Sequence, residues 1–241
     1  DPDNLPNLFA NNPQSPIAEK FHSIRSMLIY QMFGEINKCI LVTSTLPREG
    51  KTFISLNLAY SFASTNSKTL LIGFDLRKHS KMLNDHFKVN VLVGLSSYLI
   101  NKANLEDIII QTDNPNRSFL YNEEIPPNPV ALLSSPRTKQ LFENLKKRYD
   151  YIIVDTPPFG IVTDAFLLMQ YADISLYISR IGTITKKALK QSMDDIKTKK
   201  IEKIYHLING ITKIDNSYSY KYAYPYTNRK QNRLKRFFLK R

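Results

Sequence analysis

The stretch Cys39-Ile-Leu-Val-Thr-Ser-Thr-Leu-Pro-Arg-Glu-Gly-Lys-Thr52 joins an apolar strand-like run to a polar loop, and an apolar helical pattern over 52–65 follows it. A strand, a loop that ends in Gly-Lys-Thr and a helix are the elements of a phosphate loop. Backbone N–H groups and the dipole at the start of such a helix hold a di- or triphosphate. Gly50 would let the backbone approach the phosphates, Lys51 would contact the β- and γ-phosphates, and Thr52 would ligate magnesium.

The loop departs from the usual pattern, because Thr45 stands where a phosphate loop normally has its first glycine. Gly-Lys-Thr alone is a weak signal and a basic surface turn is the alternative, but the flanking strand and helix favour nucleotide binding. Asn209 ends the last strand-like run, where an amide could read the adenine edge, although Asn-Gly is also an ordinary turn. The predicted nucleotide-binding residues are Thr45, Pro47, Arg48, Glu49, Gly50, Lys51, Thr52, Phe53 and Asn209.

Strand-like runs alternate with helical patterns along most of the chain. Strands that are apolar on both faces and alternate with helices indicate an α/β fold, with a mostly parallel sheet flanked by helices on both faces. We predict an irregular lead-in over 1–14, a domain over 15–214 and a mobile tail over 215–241. Strands are predicted at 39–43, 69–73, 118–121, 151–155, 174–179 and 204–209, and helices at 52–65, 92–101, 129–147, 163–171 and 186–199, after a first helix that begins at Pro16 with an apolar stripe from Ile17 to Met32.

Two aspartates follow strand-like runs, Asp155 at the end of Tyr151-Ile-Ile-Val-Asp and Asp75 just beyond the second strand. Ligands of open α/β sheets bind outside the carboxyl ends of the strands, so both carboxylates are expected near the phosphate loop. Asp155 would hold magnesium or its water, and Asp75 would contact magnesium or accept a proton from an attacking hydroxyl. The alternatives are an Asp155 that caps the following loop and an exposed Asp75 beside two basic residues.

Composition excludes several classes of protein. With 42% hydrophobic and 11% aromatic residues among 241, the chain can bury a substantial core, which excludes wholesale disorder. Cys39 is the single cysteine, so an intrachain disulfide and a zinc site built from several cysteines are excluded. The apolar runs are too short to cross a bilayer, and we expect no transmembrane segment in this chain. Because residue 1 is Asp, we expect a piece of a longer protein.

The last 26 residues, 216–241, carry eight Lys or Arg and no acidic residue, out of a net charge of +13 for the chain. Such a basic tail can contact anionic lipid, nucleic acid or an acidic protein face, or can simply be solvated. Tyrosines alternate with small or polar residues in this tail, which predicts an extended mobile peptide that can present its hydroxyls one at a time. An aromatic patch that stacks on nucleic acid is the alternative. The tyrosines are Tyr218, Tyr220, Tyr222, Tyr224 and Tyr226.

Together these residues resemble the bacterial tyrosine kinases of polysaccharide export, over roughly 15–226. The resemblance rests on Glu19-x-x-His22-x-x-Arg25, the Pro-Arg-Glu-Gly-Lys-Thr loop, Phe-Asp-Leu-Arg-Lys at 74–78, Val-Asp-Thr-Pro-Pro at 154–158 and the tyrosine cluster. It implies a deviant phosphate-loop ATPase fold shared with septum-placement and plasmid-partition ATPases. It further implies ATP and Mg²⁺ as cofactors, catalytic roles for Lys51, Asp75 and Asp155, and magnesium ligation by Thr52, Asp75 and Asp155.

The same resemblance implies an activity and its partners. The chain would phosphorylate its own tyrosine cluster between subunits and regulate capsule or exopolysaccharide synthesis and export. It would form a homo-oligomer, a ring, through Glu19, His22 and Arg25, which helical geometry places off the core stripe; a solvated face is the alternative. A transmembrane activator and other tyrosine-containing substrates are implied, at the cytoplasmic side of the bacterial inner membrane. The bases of the tail could in addition lie on anionic lipid, and the tyrosine cluster argues against nucleic acid as a partner.

Two residues depart from the family pattern. Gly73 replaces the first of two aspartates in the second acidic motif, and His22 replaces an arginine of the oligomerisation pattern. If the missing carboxylate served as general base, catalysis would slow by about 10²–10⁴-fold while nucleotide binding survives. A nucleotide-binding pseudokinase in a ring is therefore an alternative function, and a partition-type ATPase that binds DNA through the basic tail is another.

Overall fold

The computed structural model describes residues 14–34, 38–78, 86–87 and 92–211. Nearly all of these residues belong to one compact unit within 1–209, and only 210 and 211 lie beyond it. The predicted lead-in up to residue 13 and the tail with its five tyrosines lie outside the described residues. Within the described ranges, no helix is both long and apolar enough to span a membrane.

Seven strands form one sheet in the order β3-β4-β2-β5-β1-β6-β7. Every pair of neighbours is parallel except β3 and β4, which confirms the predicted mostly parallel α/β sheet. The short antiparallel strand β3 was not predicted, because two residues carry no periodic signal. The strands are β1 (Lys38–Ser44), β2 (Thr69–Gly73), β3 (Ile110–Gln111), β4 (Arg117–Tyr121), β5 (Tyr151–Asp155), β6 (Ile174–Arg180) and β7 (Ile204–Asn209).

The helices of the described residues mostly follow the predicted patterns. The predicted helix over 129–147 is two helices instead, because Pro136 disfavours a helical conformation at Ser135, which becomes the N-cap of the second helix. A one-turn helix, α4, was also missed. The helices are α1 (Pro16–Gln31), α2 (Lys51–Ala63), α3 (Leu95–Leu99), α4 (Leu105–Ile108), α5 (Pro129–Leu133), α6 (Pro136–Lys146), α7 (Asp164–Met169) and α8 (Lys186–Thr198).

Both faces of the sheet are covered, as successive residues of β1 show. Ile40 and Val42 pack in the cluster that α1 and α2 complete, whereas Cys39 and Leu41 pack in the cluster that α3 and α6 complete. Successive strand residues point to opposite faces, so a strand buried on both sides must be apolar throughout. The carboxyl edge of the sheet, where β1, β2 and β5 end, is therefore the region where polar side chains can gather.

Helix α1 begins as predicted, with the Ser15 hydroxyl accepting a hydrogen bond from Ala18 N at 3.2 Å. The predicted apolar stripe is wrong at its start, because Ile17 is 43% exposed. Phe21 and Leu28 are buried as predicted, and Ala18 is buried in place of Ile17, so the buried stripe of the first turn lies one residue further along. This rotation matters below, because it turns neighbouring polar residues of α1 towards α2.

Candidate active site

The phosphate loop over 45–50 joins β1 to α2, which begins at Lys51. Gly50 has φ of +98°, a left-handed conformation that a residue with a Cβ rarely adopts, and an added Cβ would overlap Asn209 Nδ2. Lys51 is buried, and its Nζ donates to Ser44 Oγ at 2.9 Å, which holds the ammonium group over the loop. The loop therefore has the backbone form and the cation that phosphate binding needs.

Thr52 and Asp155 are in direct contact, because Thr52 Oγ1 donates to Asp155 Oδ2 at 2.7 Å. Asp155 is buried, and burial raises the pKa of its carboxyl, an effect that the Thr52 hydrogen bond and the Lys51 charge oppose. Burial likewise lowers the pKa of Lys51, and the Asp155 charge opposes that shift. The two charges thus lie close enough to stabilise each other in a poorly solvated place.

Asp75 lies at the same edge, in the loop that follows β2. Phe74 N donates to Asp155 O at 2.8 Å, which fixes the start of this loop beside β5. Asp75 Oδ1 accepts from Arg77 N at 3.1 Å, and Oδ2 lies 3.4 Å from Lys78 Nζ. The charge of Asp75 raises the pKa values of both Asp155 and Lys51. The structure therefore brings Lys51, Thr52, Asp75 and Asp155 to one site.

Gly73 is paired with Asp155 across β2 and β5, and with Tyr121 across β2 and β4. Residues in register on neighbouring strands point to the same face of the sheet. The side chain that the family pattern places at 73 would therefore stand beside the Asp155 carboxylate. This chain carries a hydrogen atom there, so the pair of neighbouring carboxylates is reduced to one.

Glu49 does not replace the missing carboxylate, because the carboxylate of Glu49 is hydrogen-bonded to backbone N–H groups. It is fully buried, its Oε2 accepts from Leu46 N at 2.7 Å, and its Oε1 accepts from Arg180 N at 3.3 Å. Its backbone oxygen accepts from Asn209 Nδ2 at 2.9 Å. Glu49 thus braces the loop against the ends of β6 and β7, and the Asn209 amide nitrogen that was predicted to read adenine contacts the loop.

The remaining predicted loop residues have different surroundings. Pro47 and Arg48 are exposed at the tip of the loop. The Phe53 ring packs edge-on against Phe21 of α1 with 5.8 Å between ring centroids. The Phe53 side chain is therefore part of the core between α1 and α2, and only its backbone lies beside the loop.

Asp164 is a residue of this region that sequence reasoning missed. Its carboxylate accepts two hydrogen bonds from Arg77, from Nε at 2.7 Å and from Nη2 at 2.8 Å. Asp164 is buried, and its hydrogen bond raises the pKa of the Arg77 guanidinium. This bidentate pair ties the loop of Asp75 to α7. The available signal was an acidic residue in the first turn of the predicted helix over 163–171.

The band of Glu19, His22 and Arg25 lies only partly towards solvent. Glu19 is exposed, whereas Arg25 Nη1 donates to Ser61 O near the end of α2, and His22 Nδ1 lies 3.1 Å from Ser61 Oγ. Two members of the band thus contact α2 of their own chain. The subunit contact stays a prediction, with Glu19 as its most accessible member.

The chain matches known proteins over most of its length. The model of a family described as an AAA domain matches residues 38–214. The tyrosine-protein kinase CpsD of Streptococcus pneumoniae serotype 4 is 38% identical over 167 residues, which are 69% of this chain and 73% of CpsD. The tyrosine-protein kinase etk of Escherichia coli K12 is 33% identical over 219 residues, 90% of this chain. The chain spans only 30% of etk.

Solved structures agree with these matches. The kinase domain of the Escherichia coli tyrosine kinase ETK superimposes with a TM-score of 0.80 at 31% identity, over 94% of this chain and 86% of that domain. The chimerical protein CapA2B2 gives a TM-score of 0.76 at 32% identity, over 83% of this chain and 88% of the chimera. The septum site-determining protein MinD of Pyrococcus horikoshii, complexed with Mg-ADP, shares the fold at 22% identity with a TM-score of 0.57, over 70% of this chain and 68% of MinD.

The phosphate loop, the aspartates at the edges of two neighbouring strands and these matches point to one family. They confirm the predicted deviant phosphate-loop fold and nucleotide binding, and the tyrosine-protein kinases among the matches support the predicted protein-tyrosine kinase activity. The chain belongs to the bacterial tyrosine kinases.

Proposed function

We propose that this kinase uses ATP and magnesium to phosphorylate its own C-terminal tyrosine cluster between subunits. The observation that carries the proposal is the meeting of Lys51, Thr52, Asp75 and Asp155 at one edge of the sheet. ATP would lie with its phosphates on the backbone N–H groups at the start of α2. Lys51 is held in place by Ser44 and would contact the β- and γ-phosphates.

The oxygen atoms of Thr52 and Asp155 fit a magnesium ion. Magnesium is usually bound through one or two carboxylates together with substrate phosphates. In the described part of the chain, no group of three or more His, Cys, Asp or Glu is placed to hold a metal. The hydroxyl and carboxylate that now share a hydrogen bond are the donor set expected beside a triphosphate. When bound, magnesium would neutralise charge on the β- and γ-phosphate oxygens.

The transfer itself would be an in-line displacement. A tyrosine oxygen attacks the γ-phosphorus, the bond to the β–γ bridging oxygen breaks, and ADP leaves with that bond's electron pair. The phenolic proton needs an acceptor, and Asp75 is our candidate because its carboxylate is only partly engaged, by Arg77 N and by Lys78. Positioning of the triphosphate by the loop and neutralisation of its charge by Lys51 would supply most of the rate enhancement.

The tyrosine cluster fits the role of phosphate acceptor because of its hydroxyls and because the tail around it is positively charged. Each phosphate would add about −1.5 to −2 charges, so five would add roughly −7.5 to −10. That would about cancel the eight positive charges of the tail. We infer that the unmodified tail docks on a neighbouring subunit or on anionic lipid and that phosphorylation releases it.

Mass spectrometry of mixed variants tests transfer between subunits. Lys51→Met has intact tyrosines but no active loop, and a second variant has all five tail tyrosines changed to Phe but an intact loop. We expect each alone to stay unmodified in the tail and the mixture to phosphorylate the Lys51→Met tail. An unmodified tail in the mixture, beside a modified wild-type tail, would show transfer within one chain and refute the proposal.

A pseudokinase is the second candidate, and Gly73 is the observation that favours it. Gly73→Asp places a carboxylate beside Asp155, where the register of β2 and β5 puts it. If the wild type is a weakened kinase, both proteins label their tails and Gly73→Asp does so faster. Labelling by Gly73→Asp alone would support the pseudokinase.

For the cell, we propose control of capsule or exopolysaccharide export at the cytoplasmic side of the inner membrane, in a ring with a transmembrane activator. The basic tail supports the lipid contact, at about 1 kcal/mol for each basic residue near an anionic surface. Sedimentation of the full chain with anionic and with neutral vesicles tests it. Equal sedimentation with both would refute the lipid contact, and an assembly size unchanged by tail phosphorylation would refute release from a neighbour.

A further inference from the structure

Thr45 occupies the glycine position of the loop, and its hydroxyl has two close partners. Thr45 Oγ1 lies 2.8 Å from Tyr177 Oη of β6 and 2.6 Å from Ser192 Oγ of α8. Thr45, Tyr177 and Ser192 are all buried, with Tyr177 at 0% exposure. The residue that breaks the motif is therefore the hub of a buried hydroxyl cluster.

The directions of these hydrogen bonds follow from counting protons. Ser192 Oγ donates to Ala188 O at 2.9 Å, which uses its single proton. Thr45 must then donate to Ser192, and Tyr177 must donate to Thr45. Burial raises the pKa of Tyr177, which keeps its phenol protonated and able to donate near neutral pH. The result is one chain of donors from β6 through the loop to α8.

The other side of Thr45 faces the segment that follows Asp155. A Cβ added at Gly160 would lie 2.5 Å from Thr45 O and 2.8 Å from Thr45 Cγ2, so this segment packs against the loop as closely as glycine allows. Phe159 N also donates to Ser44 O at 2.9 Å. Thr45 thus contacts β6, α8 and the segment that follows Asp155.

We propose that Thr45 is a positioning residue of the kinase, which fixes the first turn of the phosphate loop relative to Asp155. A loop that is ordered before the phosphates arrive loses less conformational entropy on binding. Glycine at this position would remove both the hydroxyl and the methyl contact and would add backbone freedom. Thr45→Gly, which restores the usual motif, should therefore weaken nucleotide binding.

Three substitutions separate the contacts. Thr45→Val keeps the shape and removes the hydroxyl, and we expect it to weaken ADP binding about tenfold, since one to two hydrogen bonds are lost. Thr45→Ser keeps the hydroxyl and should recover most of that loss, whereas Thr45→Gly should lose at least as much as Thr45→Val. Calorimetric titration with ADP and magnesium measures the affinities. The Michaelis constant for ATP should rise with the dissociation constant while kcat changes less than about threefold, because Lys51 and Asp155 are untouched.

Thr138→Val is the matched control, because Thr138 is likewise buried and donates its hydroxyl to Leu132 O at 2.7 Å, at the junction of α5 and α6. We expect it to lower the melting temperature without changing ADP affinity. Wild-type affinity in Thr45→Val, or an equal loss in both valine variants, would overturn the proposal.

Tyr177→Phe keeps the test decisive if Thr45→Val fails to fold, because it removes only the first donor of the chain. We expect a loss of affinity of about threefold. In the double variant, Tyr177→Phe should add little to Thr45→Val, since both act through one network. Wild-type affinity in Tyr177→Phe, or fully additive losses in the double variant, would contradict a shared positioning role.

Discussion

The two halves of the carboxyl edge differ in how well their buried polar groups are satisfied. On the β1 and β6 side, Glu49 accepts hydrogen bonds from two backbone N–H groups, and the Thr45 hydroxyl forms hydrogen bonds with two other hydroxyls. On the β2 and β4 side, Gly73 lacks the expected carboxylate. Tyr121 Oη and Asn122 Nδ2 are the only buried side-chain nitrogen or oxygen atoms of the described residues without a hydrogen-bond partner.

The contrast separates binding from chemistry. The half that would hold the phosphates is ordered in advance by buried hydrogen bonds, so nucleotide affinity should depend on side chains that never touch the nucleotide. The half that would complete the acidic site contains the two buried polar atoms that lack a hydrogen-bond partner among the described residues. It also lacks the carboxylate that the family pattern has in place of Gly73. We therefore expect substitutions in the first half to change affinity, and substitutions in the second half to change turnover or stability.

The largest expected effect comes from Asp155, where the two halves meet. Asp155→Asn removes the carboxylate beside Thr52 and should lower kcat for tyrosine phosphorylation by about 10²–10³-fold. ADP affinity measured without magnesium should change little, because the loop is intact. Asp150→Asn at the other end of β5, whose carboxylate accepts from Lys68 N at 2.8 Å, is the control and should retain kcat. An Asp155→Asn enzyme with wild-type turnover would remove Asp155 from the proposed site.

A smaller effect is expected from Glu49 and Glu123, one in each half, whose carboxylates accept hydrogen bonds from backbone N–H groups. Glu49→Ala leaves Leu46 N and Arg180 N, which lie in partly buried hydrogen bonds, without their acceptor and should cost about 1–3 kcal/mol of stability in total. It should also weaken ADP binding. Glu123→Ala likewise removes an acceptor from two N–H groups, those of Ser96 and Ser97. Urea unfolding and ADP titration of both variants check the contrast, which would be wrong if Glu123→Ala weakened ADP binding as much as Glu49→Ala.

Much of this arrangement could be predicted from the sequence. Asp155 and the phosphate loop were placed together because parallel strands end at one edge, a rule that needs only the alternation of strands and helices. The braces could not be predicted, because their partners are distant in sequence: Thr45 and Tyr177 are 132 residues apart. Serine, threonine and tyrosine in a strand or helix give no local sign of the hydroxyl that they will contact.

The orientation of α1 was predicted only in part, for a related reason. A helical wheel assigns faces from periodicity alone, and the small residue Ala18 was not counted as part of the buried stripe. Its complete burial rotates the stripe and turns Arg25 towards Ser61 of α2. Which neighbour a polar side chain meets depends on tertiary packing, and only the structure shows it.

Alkaline pH should widen the difference in unfolding free energy between Tyr121→Phe and the wild type. Burial raises the pKa of Tyr121 to about 12, above its usual value of 10.0. Below pH 10 the phenol is protonated in both the folded and the unfolded state, so its ionisation does not change the free energy of unfolding. Between pH 10 and 12 it ionises mainly in the unfolded state, which lowers the stability of the wild type. At pH 11 the stability gap between Tyr121→Phe and the wild type should therefore exceed its neutral value by about 1.4 kcal/mol. Urea unfolding of both proteins at pH 8 and pH 11 measures this, and an unchanged gap would contradict it.

The smallest expected effect is the same substitution at neutral pH. Tyr121 Oη is buried and has no hydrogen-bond partner among the described residues, so removing it relieves a desolvation penalty while the ring still packs against Phe119 at 5.6 Å between centroids. We expect Tyr121→Phe to stabilise the protein by about 1 kcal/mol. Tyr177→Phe makes the same chemical change in the satisfied half, where the hydroxyl donates to Thr45, and should destabilise by a similar amount. Opposite signs for the two variants would establish the contrast between the halves, whereas a loss of stability in both would show that the buried hydroxyl of Tyr121 is as well satisfied as that of Tyr177.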